Sequence, residues 1–168
     1  LAIALAHGGD RVVLVDADLR RPRLAELFEL SGTDGLTTAL VGAVDLEHAV
    51  QQTRVPGLEV LTTGRLPPNP TELLQTQAMS DLITSLQRRY DVVVLDAPPL
   101  LPVADAAVLA SMSDGALVLV RHGRTTREQV RAAVGRLEAV GANLWGTVLT
   151  MVPARSLAPY GYGYGYGD

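Results

Sequence analysis

Short apolar runs separated by stretches of helical spacing set the rhythm of this chain from end to end. Residues 12–15, Val-Val-Leu-Val, are bounded by charge and read as a strand buried on both faces. The design returns at 90–96, Tyr-Asp-Val-Val-Val-Leu-Asp, and residues 116–120 predict another buried strand. Residues 58–61 and 144–149 predict two more. Between them lie helical segments: 1–7, stopped by Gly8-Gly9, then 24–28 just after Pro22, and 36–41. A further helix is predicted over 46–52 with Asp45 as its N-cap. Residues 76–89 place Met79, Leu82, Ile83 and Leu86 on one face, and 126–140 do the same with Val130, Val134, Leu137 and Val140. A proline-dense loop, Pro67-Pro68-Asn69-Pro70, leads into a short helix, and 102–112 predicts another. Strands alternating with helices predict an α/β fold, a mostly parallel sheet with helices on both faces.

Composition narrows the picture. At 168 residues the chain has the size of one domain, with 48% hydrophobic content and a net charge of −4, which argues against a nucleic-acid partner. The absence of cysteine excludes disulfides and thiolate metal sites, and His7, His48 and His122 lie too far apart in sequence to suggest a zinc cluster. No apolar run approaches the roughly 18 residues that span a bilayer. Residues 1–6 are apolar but lack the basic flank of a signal peptide. From Pro153 the chain turns to small residues, proline and then tyrosine alternating with glycine, so the division expected is a domain over 1–152 and a flexible tail over 153–168.

The candidate chemistry sits at the strand ends. Asp16 and Asp18 follow one apolar run and Asp96 ends another. In open α/β sheets the carboxyl edge is where ligands bind. Three carboxylates there suit a hard cation such as Mg²⁺, which is held by one or two carboxylates together with substrate phosphates. A lone strand-ending aspartate more often caps a turn or helix. Two matching strands plus an Asp-x-Asp favour the joint functional reading. Arg20 is a candidate phosphate ligand through its paired donors, though Arg20 and Arg21 read equally well as a solvated pair beside the aspartates. In the tail, Tyr160, Tyr162, Tyr164 and Tyr166 alternate with glycines that cannot cover them, which points to a role for the hydroxyls or rings. All 14 basic residues are arginine, so a G-x-x-x-x-G-K-[ST] phosphate loop is not in these residues. Either no nucleotide is bound, or that loop lies upstream and the chain is a fragment.

Taken together, four stretches resemble the bacterial tyrosine kinases of capsule and exopolysaccharide synthesis, the BY-kinases. VVLVDADLRRP is similar to their second Walker motif (A′) and VVVLDAPP to their Walker B. LPPNPTELL resembles a loop typical of the family, and PYGYGYGYGD its C-terminal tyrosine cluster. The resemblance implies a P-loop NTPase-like fold that uses ATP and Mg²⁺ to phosphorylate protein tyrosine. It implies Asp16 as the base for the tyrosine hydroxyl, and Asp16, Asp18 and Asp96 around the metal. Tyr160, Tyr162, Tyr164 and Tyr166 become phosphoacceptors exchanged between subunits of a homo-oligomeric ring. It further implies a membrane activator segment, fused or separate, and a place on the cytoplasmic side of the bacterial plasma membrane.

The family's first strand, its P-loop and the upstream arginine-containing helix are not in this sequence, and Thr150 stands where relatives often carry asparagine near the base. As given, the chain is therefore expected to be inactive. A gap is expected inside its sheet, with poor folding when it is expressed alone. Two other readings share the strand-aspartate motifs: a partitioning-type ATPase switch, and a catalytically inactive regulatory domain.

Overall fold

The computed structural model describes residues 1–153. The tail tyrosines therefore lie outside the described residues. The first helix, α1 (Ala2–His7), ends where Gly8 and then Gly9, at φ 103°, turn the chain into β1 (Val12–Asp16). Short helices α2 (Leu24–Leu27), α3 (Leu36–Leu40) and α4 (Leu46–Ala49) precede β2 (Val50–Gln52) and β3 (Leu58–Leu61). Helices α5 (Pro70–Leu74) and α6 (Gln77–Gln87) lead to β4 (Val92–Asp96). The chain continues through α7 (Asp105–Ser111), β5 (Ala116–Arg121), α8 (Arg127–Ala139) and β6 (Leu144–Thr150). Among the described residues no helix is long and apolar enough to cross a membrane.

Strand β1 is the axis of the fold. It pairs in parallel with β3 on one side and β4 on the other, and every one of its residues is buried. Its alternating side chains feed two cores. Val13 and Val15 join Leu61 and the inward stripe of α6, Met79, Leu82, Ile83 and Leu86. Val12 and Leu14 join Leu58 and Val60 against Ala2 and Ala6 of α1 and Leu24 of α2. Each of these valine, leucine, isoleucine and methionine side chains contributes about 1.5–3 kcal/mol when withdrawn from water. Helices on both faces of a largely parallel sheet are thus as expected.

Four local expectations are corrected. The helix at 46–52 stops at Ala49, and Val50–Gln52 instead pairs antiparallel with β3, giving its outer edge a partner. Asp45 sits at the N-cap position but its side chain makes no capping bond. The helix after Pro102 begins only at Asp105. Strand β5 is not buried throughout: its residues alternate, leaving Leu117 and Leu119 exposed. The cause is the sheet itself, which falls into a four-stranded part ordered β2-β3-β1-β4 and a separate parallel pair β5-β6. Among the described residues no strand pairing bridges the break between these two parts. Across it, α8 packs on α7 and Arg136 donates to the carbonyls of Leu100 and Leu101, at 2.8 and 2.5 Å.

The amino ends of β1 and β4 are tied by Arg11. Its Nε and Nη2 reach the Asp91 carboxylate at 3.0 and 2.7 Å, and its backbone N–H donates to the same group at 2.9 Å. These bonds lower the Asp91 pKa to about 2. Because the folded value lies below the ordinary carboxylate value of about 3.9, the pair stabilises the fold above that value and is lost as pH falls through about 2. Both side chains are largely exposed, so salt weakens the effect. Asp91→Asn is expected to melt below the parent at neutral pH and low salt. The gap should close between about pH 4 and pH 2, as followed by thermal unfolding at stepped pH.

Candidate functional site

The carboxyl edge of the four-stranded part is where the predicted acidic residues meet. In the β1–β4 register Asp16 lies directly beside Asp96, and Ala17 N–H donates to the Asp96 carbonyl at 2.9 Å. Asp18 follows in the loop, half-buried, with its Oδ1 accepting from the backbone of Arg20 and Arg21 at 3.1 and 3.0 Å.

Asp16 is completely buried. Its Oδ2 accepts the N–H groups of Arg23 and Leu24, at 3.1 and 2.9 Å, and so caps the start of α2. The capping role considered from sequence is thus real, but it uses one oxygen only. The other, Oδ1, is buried and accepts no hydrogen bond among the described residues. An unsatisfied buried carboxylate oxygen costs about 1–3 kcal/mol. Burial accordingly raises the Asp16 pKa, against the pull of the Leu24 and Arg23 amides. The Asp96 side chain is open on one side, yet protein packed around its carboxyl, followed by the charges of Asp16 and Asp18, raises its pKa as well.

These oxygens fit a hard cation: Asp16 offers a buried acceptor without a partner, and two like charges adjoin it. They do not enclose one alone, because among the described residues no three acidic or histidine side chains are grouped to hold an ion. Mg²⁺ keeps part of its coordination for water and substrate phosphate, so an incomplete protein set is what it uses.

Arg20 has a partner that the sequence did not suggest. Its Nε and Nη2 pair with the Asp105 carboxylate at 2.7 and 3.3 Å, and Nη2 also reaches Thr71 Oγ1 at 3.2 Å. The guanidinium is thus engaged by Asp105 in this structure while its side chain stays partly exposed. Asp105 and Thr71 were not visible as site residues in the sequence. The hint was an aspartate at the start of an alanine-rich helix, which reads as an ordinary cap. A hollow of about 450 Å³ lined by Arg11, Thr53, Glu59, Arg89 and Tyr90 lies at the opposite, amino ends of the strands and is remote from this chemistry.

Residues 1–143 match a family model described as an AAA domain. The chain is 39% identical over 162 residues to tyrosine-protein kinase YwqD of Bacillus subtilis, covering 96% of this chain and 68% of that protein. It is 38% identical to tyrosine-protein kinase etk of Escherichia coli K12 over 96% of its own length, but spans only 22% of that protein. Among solved structures it is similar to the kinase domain of E. coli ETK, at TM-score 0.85 and 34% identity, covering 100% of this chain and 64% of that one. The VpsO kinase domain gives TM-score 0.86 and 35% identity, covering 90% and 75%. The septum site-determining protein MinD of Pyrococcus horikoshii, at TM-score 0.73 and 21% identity over 88% and 60%, shares the fold alone.

Two substitutions separate cap from charge. Asp16→Ala removes the α2 cap and is expected to cost about 1 kcal/mol. Asp16→Asn keeps an acceptor for α2 and removes the buried charge, so its melting point at pH 7.5 should equal or exceed the parent's. The sign follows from the raised pKa: the parent's stability from Asp16 is full below the ordinary carboxylate value and falls as pH rises through the folded one. Mg²⁺ should therefore raise the parent's melting point more at pH 7.5 than at pH 5, and leave Asp16→Asn unmoved. Calorimetry with and without the ion reads all three.

Proposed function

Because this chain belongs to the bacterial tyrosine-protein kinase family, we propose that it forms the carboxylate half of an ATP-dependent protein-tyrosine kinase site. The reading rests on one observation: Asp16, in register with Asp96, holds a buried oxygen in want of a positive partner. Asp16, Asp18 and Asp96 would hold Mg²⁺, which would supply positive charge to offset that of the nucleotide phosphates. Asp16, with its raised pKa, is the better proton acceptor for a phenol whose own pKa is near 10. The tyrosine oxygen attacks the γ-phosphorus of ATP, ADP leaves, and the hydroxyl proton passes to Asp16. Since Asp16 is closed to water, that proton must come from a group lodged against the strand edge.

The acceptors we assign are protein tyrosines, including Tyr160, Tyr162, Tyr164 and Tyr166 of a neighbouring subunit in a ring of identical chains. The role that goes with them is control of capsule or exopolysaccharide synthesis and export. It would be exercised on the cytoplasmic side of the plasma membrane with a fused or separate membrane activator. No G-x-x-x-x-G-K-[ST] loop is in these 168 residues, so the test uses the full-length protein. Incubated with γ-labelled ATP and Mg²⁺, the parent is expected to gain acid-stable label on tyrosine. Replacement of the four tail tyrosines by phenylalanine should remove most of it, and Asp96→Asn should remove nearly all while the fold is retained. A parent that hydrolyses ATP without labelling tyrosine would instead be a nucleotide-gated switch.

A further inference from the structure

The loop carrying Asp18 needs something to hold it. After Ala17 is bonded to the Asp96 carbonyl, Leu19 is buried, but residues 20 and 21 stand exposed. Arg20 ties this stretch at both of its ends. Its backbone N–H holds Asp18 Oδ1, while its guanidinium forks onto Asp105 across 85 residues of sequence. Asp105 has no exposed surface, and its Oδ1 also accepts the Thr71 hydroxyl at 2.5 Å, at the start of α5. Thr71 accepts in turn from Arg20 Nη2. Three elements, the β1–α2 loop, α5 and α7, thus close on a single buried carboxylate.

Stability alone is a poor account of this cluster. A buried ion pair gives little or no net stability over an apolar group of the same size, whereas a bidentate guanidinium–carboxylate pair fixes direction and distance. The thing it fixes here is a loop whose next bonded atom is Asp18 Oδ1. The other oxygen of Asp18 is the one free to serve a cation.

We propose that Arg20, Asp105 and Thr71 are positioning residues: together they clamp the Asp18 loop, so that the cation affinity of the strand edge depends on the seating of α5 and α7. This deepens the reading of the site as a divalent-cation site and rests on it. Outer partners of metal-binding side chains govern affinity because they orient the oxygens before the ion arrives. The proline-dense segment 67–70, running directly into α5, thereby gains a physical route to the carboxylate edge.

The test uses the complete protein and two variants. Arg20→Ala alone would strand a buried charge, so it is made together with Asp105→Ala. Thr71→Val removes only the hydroxyl. Amide hydrogen exchange is read at Arg20 and Arg21, and Mg²⁺ affinity from the Mg²⁺ concentration that half-completes the rise in melting point. Neither readout requires turnover. In the double variant the two amides should exchange about tenfold faster, and half-completion should need about tenfold more Mg²⁺. Thr71→Val should move both in the same direction by less, and the Val12–Val15 amides should stay protected in either variant. A lower melting point with unchanged exchange at Arg20 and Arg21, or faster exchange with unchanged Mg²⁺ dependence, overturns the proposal. So does a parent that shows no Mg²⁺ shift. A parent that binds Mg²⁺ but labels no tyrosine sinks the kinase reading and leaves the clamp standing.

Discussion

One buried carboxylate, with one oxygen satisfied and the other not, governs the geometry around it. Asp16 arrives at its place because β1 is buried on both faces and ends at the carboxyl edge of the sheet. Its satisfied oxygen starts α2, which in turn sends Leu24 into the core beneath Val12 and Leu14. The unsatisfied oxygen carries a penalty of about 1–3 kcal/mol. Four apolar neighbours in the same strand, at about 1.5–3 kcal/mol each, outweigh it several times over. The fold can therefore keep an unfilled acceptor at a fixed point, a condition that free loops cannot maintain.

Charge around that point is divided unevenly, and the division has a consequence. Of Asp16, Asp18, Asp96 and Asp105, the described contacts give only Asp105 a cationic partner. Arg20, the nearest arginine in sequence to Asp18, turns away toward Asp105 and takes the Thr71 hydroxyl with it. Burial would push the Asp105 carboxyl up, yet Arg20 and Thr71 prevail and hold it low. Burial raises the Asp16 carboxyl, and burial followed by the charges of Asp16 and Asp18 raises that of Asp96. The Asp105 charge is thus kept and offset by its partner, while Asp16 and Asp96 hold protons more tightly and have no cationic partner among the described contacts.

Much of this was legible in the residues. The apolar run at 12–15, the stripe of Met79, Leu82, Ile83 and Leu86, and the meeting of Asp16 with Asp96 follow from local period and from the rule that parallel strands end on one side. What was not legible depends on partners distant in sequence. Val50–Gln52 carries no strong strand signal and becomes one because the free edge of β3 needs hydrogen bonds. The alternation of β5 was hidden because an apolar run looks the same whether one face or both are covered. The Arg20–Asp105 pair was hidden for a different reason: two arginines beside two aspartates look like local charge pairing, and this acceptor lies 85 residues away.

The two aspartates in register are not equivalent, and the difference suits the ion they are assigned. Asp16 is held through the ladder to β4, through two amides on its carboxylate and through the Thr63 hydroxyl on its carbonyl. Asp96 has no such set of bonds on its carboxylate among the described residues, and the loop that follows is steadied by Arg136 on the carbonyls of Leu100 and Leu101. Asp16 is thus held at more points than Asp96. Mg²⁺ demands near-ideal octahedral geometry but brings most of its own ligands. If these two carboxylates hold the proposed ion, the fixed oxygen of Asp16 would give it a defined position and the less constrained Asp96 would adapt to it. Two rigid carboxylates set at the wrong separation would forbid that adaptation, and two loose ones would have to be ordered at the moment of binding.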